Sequence, residues 1–265
     1  MFTLRDLVQP DTVEEAYKIL TDKRNNTVLG GCAYLKMGAK RIGTAVDLSK
    51  LQLDYIKEQE GYIEIGAMTS LRALETHSCL LDNFNGIVPL ALGNIVGVQL
   101  RNVATLGASV FAKYGFSDLL TVLLALDTEV ELHQAGRMSL TEFLDRPYAK
   151  DILTRIFIKM DGRQASYQCL RNSAGDYPIL NVAVSRRNNR WQIVVGARPL
   201  KAKFALQTAA ALTVNNPEPT EIARIAAAAA QELSFGTNIR ATAAYRRAMC
   251  KVLVQRALTE VVQCK

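Results

Sequence analysis

A chain of 265 residues with 49% hydrophobic and 22% charged residues has enough apolar material for a sizeable buried core and reads as globular rather than disordered. The formal net charge of +7 would suit nucleic acid. However, its lysines and arginines are spread out, with small clusters at Arg186–Arg187 and Arg246–Arg247 and no interleaved aromatic residues. The charge therefore reads as a solvated surface, part of which can meet an acidic partner or an anionic cofactor.

In chain order, Val13, Ala16, Tyr17 and Leu20 lie at helical spacing behind Asp11 or Thr12 as cap, with Glu14 and Glu15 in the first turn. Asn25-Asn26 predicts a turn and Thr27–Leu29 a short strand that runs into Gly30-Gly31, after which residues 33–37 can open a helix. Residues 45–48 predict a strand. A hairpin follows, turning at Glu60-Gly61, with Ile63 and Ile65 alternating after it. Thr69 or Ser70 caps a helix through Leu71 and Leu74, and residues 87–97 read as a buried helix. A segment of small residues, 101–109, precedes Ser117-Asp118, which cap the apolar helix 119–126, and residues 128–132 alternate as a strand. Strands are predicted at 152–160, 176–184 and 191–195, and helices at about 220–233 and 243–262. Strands first and helices last suggest a separate C-terminal α+β domain. The boundary is placed near Pro147–Lys150, giving domains 1–148 and 149–265.

The cysteines, Cys32, Cys79, Cys169, Cys250 and Cys264, are odd in number and widely spaced, with no CxxC pair. That supports neither a zinc site nor an iron–sulfur cluster in this chain. His77 and His133 sit in no motif, so no histidine-based metal centre and no catalytic triad is expected. No apolar run approaches the roughly 20 residues of a bilayer span. The opening MFTLRDLVQPD lacks a basic region followed by an apolar one. A cytoplasmic protein that binds neither membrane nor nucleic acid is expected.

Two glycine-rich turns carry the chemistry. In Leu29-Gly30-Gly31-Cys32-Ala33-Tyr34-Leu35 a strand ends in paired glycines, which tolerate positive φ and expose consecutive backbone N–H groups suited to a phosphate or pyrophosphate. In the second, Thr105 and Ser109 offer hydroxyls, Gly107 permits close backbone approach, and Arg101 can face an anion or brace the loop. Asp118, just beyond, can accept from ribose hydroxyls or only cap its helix.

The order strand–Gly-Gly, then RNVATLGAS, then SDLLTVLLALDTEVEL resembles the FAD-binding (medium) subunit of molybdenum hydroxylases, of the xanthine dehydrogenase and carbon monoxide dehydrogenase flavoprotein type. The likeness extends to Asp176-Tyr177-Pro178 and to residues 239–247, IRATAAYRR. It implies an α+β chain, with a two-lobed, PCMH-like FAD-binding domain followed by the C-terminal sheet-and-helix domain. It also implies FAD as cofactor, and partner subunits carrying [2Fe–2S] clusters and the molybdenum cofactor. The chain would be an oxidoreductase subunit relaying electrons to NAD⁺ or another acceptor. No catalytic acid or base is expected in it. Xanthine is the first expectation for the organic substrate, with nicotinate, aromatic acyl-CoA, aldehyde and carbon monoxide equally compatible.

By carry-over, residues 29–35 and Thr105 to Ser109, with Gly107 and Ala108 among them, contact the pyrophosphate, and Arg101 is a further cofactor-binding candidate. Asp118 serves the ribitol or adenosine part, Leu153 the flavin region and Asp176 the isoalloxazine side. Cys32 and Ala33 stand where the family has Thr and Asp or Asn, so binding leans on backbone amides. Ala108-Ser109 replace Gly-Asn, Asn238 replaces Asp, and Gln168 falls near the family's basic residue beside the flavin. These departures leave open a structural or assembly subunit with an altered flavin site. Net charge alone leaves a nucleic-acid binder to be excluded.

Overall fold

The structure is a computed structural model and describes residues 2–213 and 216–264. Its contacts divide it into two units. The first comprises residues 1–74, 97–112 and 128–158, and the second residues 75–96, 113–127 and 159–265.

The first unit holds two sheets. Strands β1 (Thr3–Val8), β2 (Thr27–Leu29) and β3 (Arg41–Asp47) form a parallel sheet in the order β1-β3-β2. Helix Val13–Asp22 makes the crossover. Thr12 is its cap, accepting from the Glu15 amide, and it buries Ala16 and Leu20 against Val46, Leu48 and Ile152. Strand β1 escapes sequence reading because it is an edge strand with almost every side chain exposed, Leu4 and Leu7 included, so no period of two appears. Strands β4 (Ile56–Gln59), β5 (Tyr62–Gly66), β6 (Glu129–Leu132), β7 (Gly136–Ser139) and β8 (Leu153–Lys159) form the second sheet, in the order β4-β5-β8-β6-β7. The strand expected to open the C-terminal part is thus β8, paired antiparallel with β6.

The second unit is built on an antiparallel sheet of β9 (Gln164–Leu170), β10 (Leu180–Arg187), β11 (Arg190–Gly196) and β12 (Lys203–Phe204). Val182, Val184, Ile193 and Val195 pack with Ala226 and Ala229 of helix Pro219–Glu232 and with Val254 and Ala257 of helix Ala243–Gln263, all without solvent exposure. Helix Asp118–Ala125, buried all round, contacts β10 and β11. Gly196 makes room for it, since a β-carbon there would overlap Thr121 and Asn181. The predicted strand 176–184 begins only at Leu180, because Asp176–Ile179 turn first.

Arg163 and Asp161 form a buried pair, their side chains 3% and 1% exposed, with Asp127 as a further carboxylate and the Ala125 carbonyl as acceptor at 3.0 Å. Burial pushes the Asp161 carboxyl upward, but hydrogen bonding and charge from Arg163 outweigh it and hold the pKa below its ordinary value of 3.8. A depressed native pKa means that the stabilisation is full above the unfolded value and is lost as pH falls through the native one. Thermal unfolding should therefore show the stability gap between wild type and Arg163→Met shrinking below about pH 4. A gap constant from pH 7 to pH 3 would count against this.

Candidate functional site

The first glycine-rich turn follows β2, whose Leu29 is in register with Asp47 of β3. Gly31 (φ 69°) and Cys32 (φ 56°) are consecutive left-handed residues, in a turn that can present successive backbone amides to an anion. Among the described residues, the N–H groups of Gly31, Cys32 and Ala33 meet no acceptor. A short 3-10 turn, Leu35–Met37, follows in place of the expected helix, closed by the Met37 amide on the Tyr34 carbonyl and the Gly38 amide on the Leu35 carbonyl, each at 3.1 Å. Tyr34 and Met37 are exposed. Burial raises the Cys32 thiol pKa, with Lys36 pulling the other way.

The second glycine-rich segment is helical, not a loop: helices Val98–Val103 and Leu106–Phe111 break at Ala104-Thr105. It lies directly against the first turn. A β-carbon at Gly31 would overlap the Val103 carbonyl oxygen, and one at Gly30 would sit 2.8 Å from the Ala108 β-carbon and 3.1 Å from Thr105 Oγ1. The two signals read apart in the sequence are therefore one feature.

The roles within the second segment differ from expectation. Gly107 is close-packed against Ala67, where an added β-carbon would lie 2.8 Å from both Cβ and O, so its lack of a side chain serves packing rather than ligand approach. The amides of Leu106 and Gly107 donate to the carbonyls of Thr69 and Ala67, each at 2.8 Å, and the Ala108 amide donates to Thr105 Oγ1 at 3.3 Å. The Ser109 hydroxyl donates to the Thr105 carbonyl at 2.8 Å. These backbone donors are committed internally because the segment is braced by the residues following β5. Arg101 is buried. Leu153 is 5% exposed and pairs with Leu132, so its side chain belongs to the sheet core.

Asp118 and Asp176 belong to the second unit. Asp118 is the first helical residue; its neighbour Ser117 is the cap, accepting from the Leu120 amide at 3.1 Å. Asp118 is buried, and its Oδ1 accepts from Arg171 Nη2 at 2.5 Å, from the Tyr167 hydroxyl and, more weakly, from Asn181 Nδ2 at 3.5 Å. Burial and the Asp118 charge push the Tyr167 pKa well up. The Asp176 carboxylate accepts from the Tyr177 amide at 2.7 Å and pairs with Arg240 at 3.1 Å, and both hold its pKa below the usual value. Arg171 joins the two acids by donating to the Asp176 carbonyl at 2.5 Å.

Sequence reading missed Arg171, Tyr167 and Arg240. They lie outside the motifs quoted for function or, like Arg240, inside one with no role attached. Arg246, in the terminal Tyr-Arg-Arg motif, is 1% exposed. It donates to the carbonyls of Ile179, Gly236 and Ala241 and to Asn238 Oδ1 at 2.6 Å, all uncharged acceptors. Burial, and then the Arg240 charge, lower its pKa. Asn238→Asp should give this buried cation a charged acceptor and raise stability by about 1 kcal/mol. An unchanged or lower melting temperature would rule that out.

A cleft of about 360 Å³ opens on the five-stranded sheet, lined by Tyr55, Glu131, His133, Arg137, Thr154 and Arg155 among others. None of the expected cofactor residues lines it, and its charges are paired. Arg155 bridges Glu64 at 3.0 Å and Glu131 at 2.9 Å, and Tyr55 donates to Glu64 at 2.6 Å. Burial and Glu64 push the Tyr55 pKa up to about 12. We assign the cleft no part in cofactor binding. Among the described residues no group of His, Cys, Asp or Glu is placed to hold a metal ion.

Residues 2–159 match the family described as "FAD binding domain in molybdopterin dehydrogenase", and residues 165–261 match "CO dehydrogenase flavoprotein C-terminal domain". The chain is 25% identical to the glyceraldehyde dehydrogenase medium chain of Sulfolobus acidocaldarius, over 96% of this chain and 97% of that one. It is 26% identical to the nicotine 6-hydroxylase medium subunit of Paenarthrobacter nicotinovorans, over 95% of each. Its fold superposes on carbon monoxide dehydrogenase from Hydrogenophaga pseudoflava with a TM-score of 0.90 at 21% identity, covering 100% of both chains. On quinoline 2-oxidoreductase from Pseudomonas putida 86 the TM-score is 0.87 at 20% identity, covering 99% of this chain and 97% of that one.

Proposed function

The chain belongs to the family of FAD-binding domains of molybdopterin dehydrogenases, and we propose that it is the electron-transfer subunit of a molybdenum hydroxylase. In this reading it takes electrons from [2Fe–2S] clusters of a small partner subunit and passes them to NAD⁺ or another acceptor, while a large molybdopterin-binding subunit oxidises the organic substrate. FAD, when bound, supplies the exchange between single electrons and electron pairs. The chain's residues hold and orient it, and none need act as acid or base.

The observation that carries this reading is the first turn. Three successive backbone donors that meet no acceptor among the described residues, two of them on left-handed residues, suit a pyrophosphate. Residues 29–35 are assigned to it, with Thr105, whose hydroxyl serves only as an acceptor among the described residues, as a further donor; Ser109 would join by exchanging its bond to the Thr105 carbonyl. Asp118 is assigned to a hydroxyl of the ribitol or adenosine part and Asp176 to the flavin end; Leu153, its side chain in the sheet core, is assigned to the flavin end through its backbone. Medium-chain relatives carry names as different as glyceraldehyde dehydrogenase and nicotine 6-hydroxylase. Substrate choice therefore fits a partner chain, and a xanthine-type purine is one such substrate. The five cysteines are free thiols, which fits a reducing, cytoplasmic setting.

Titrating FAD into cofactor-free protein should quench flavin fluorescence to a stoichiometry of about one per chain, as one site built on the first turn requires. No uptake would instead favour a structural or assembly subunit. The internal commitment of the Leu106, Gly107 and Ala108 amides is the feature that favours that second reading.

A further inference from the structure

Arg171 occupies an unusual position in the second unit. Its side chain is 9% exposed and that of Asp118 is 6% exposed. One arm of the guanidinium donates to Asp118 Oδ1 and the other to the Asp176 carbonyl, each at 2.5 Å, while the buried Nε meets no partner among the described residues. The Tyr167 hydroxyl donates to the same Oδ1, and Cys169 Sγ and Asn181 Nδ2 approach it at 3.9 Å and 3.5 Å. Every donor to the carboxylate thus converges on one oxygen. Among the described residues, Oδ2 meets none. The turn that Arg171 grips is held on its far side by Arg240, which pairs with the Asp176 carboxylate at 3.1 Å and lies over the Tyr177 ring at 5.1 Å.

We propose that Arg171 is a positioning residue for the cofactor, acting through Asp118: it fixes Oδ1 and leaves Oδ2 as the acceptor for a cofactor hydroxyl. This rests on the reading of the chain as an FAD subunit. A carboxylate held at one oxygen by a charge-assisted hydrogen bond has lost its rotational freedom before the ligand arrives, so binding does not have to order it. Arg171 also registers the Asp176 turn against Asp118, so the two acids are set by one side chain. Gln168, by contrast, brings no positive charge and bonds outward to Glu260 at 2.7 Å.

The test is a double-mutant cycle in FAD affinity on the full chain, with melting temperature recorded for each protein. Arg171→Gln and Asp118→Asn should each weaken FAD on the order of tenfold. The double variant should be no weaker than Asp118→Asn alone, because residues acting as one unit are not additive. Arg171→Lys, which keeps the charge, should recover part of the loss. A lowered melting temperature with unchanged affinity in Arg171→Gln would make the residue purely structural and overturn the proposal, as would additive losses in the double variant. If Arg171→Gln fails to fold, Tyr167→Phe removes another donor from the same oxygen: weakened FAD supports the proposal and unchanged FAD overturns it. A wild-type chain that takes up no FAD overturns the underlying reading itself, and is told apart because no variant then differs from it.

Discussion

Gly31→Val is expected to cost the protein its flavin and a measurable share of its stability together. From the sequence alone, a side chain at this position should block only an anion-binding nest and leave folding intact. The structure changes that expectation. Gly31 sits at φ 69°, where a β-branched residue is strained by roughly 1–2 kcal/mol. Its β-carbon would also overlap the Val103 carbonyl oxygen, with Ala104 Cα only 3.0 Å away. Backbone cannot swing aside as a side-chain tip can, so relief requires the turn and the helix ending at Val103 to separate, at a further cost of about 1–3 kcal/mol. We expect a total loss of about 2–5 kcal/mol, combining these two contributions. Circular dichroism should show a clearly lower melting temperature alongside failure to take up FAD. Gly61→Ala is the control: it shares the left-handed geometry, with φ 80°, but nothing lies within 4 Å of the added carbon. Normal stability with lost flavin in Gly31→Val would restore the simpler picture of a nest that faces only ligand.

Asp118→Ala should be the more damaging change. It would remove the carboxylate from a buried cation, leaving Arg171 with a carbonyl partner only and depriving the buried Tyr167 hydroxyl of its acceptor. Breaking one side of a buried pair costs about 3–5 kcal/mol, which for a chain of this size lowers the melting temperature on the order of 10 °C. Asp118→Asn, which keeps the shape and one acceptor oxygen, should lose substantially less. Equal melting temperatures for wild type and Asp118→Ala would mean that the Arg171 contact contributes nothing. The same numbers explain why an alanine substitution here cannot measure a ligand hydrogen bond cleanly, and why the amide variant is the one to use in affinity work.

Local signals in the sequence were sufficient for much of the fold. Thr12, Ser117 and Thr242 each precede a helix and each accept from an amide three residues on. The apolar run from Leu119 reads as a buried helix and is one, and the alternating stretch around Ile193 is a core strand. The misses have physical causes. Strand β1 buries too little to show a period. The small residues around Thr105 look like a loop because their helix-forming contacts, to Ala67 and Thr69, come from a distant segment. Strands β7 and β9 are short or polar-rich, and their pairing is decided by neighbours rather than by their own pattern.

By itself, the sequence determined the family and its cofactor class, because the order of Gly-Gly, RNVATLGAS and the terminal Tyr-Arg-Arg is a pattern of residue types. Glycine marked some of the positive-φ positions, such as Gly31 and Gly61, but Cys32, Phe84 and Asn85 take that conformation without being glycine, so their backbone was set by the fold. Only the tertiary structure decided which groups are free to bind. A sequence names every donor and acceptor but not their partners. The amides of Leu106 and Gly107 and one oxygen of Asp118 are claimed by residues far along the chain, while among the described residues the amides of Gly31, Cys32 and Ala33 are left unclaimed. Binding capacity is what remains after folding has satisfied its own polar groups, and that remainder is fixed by packing.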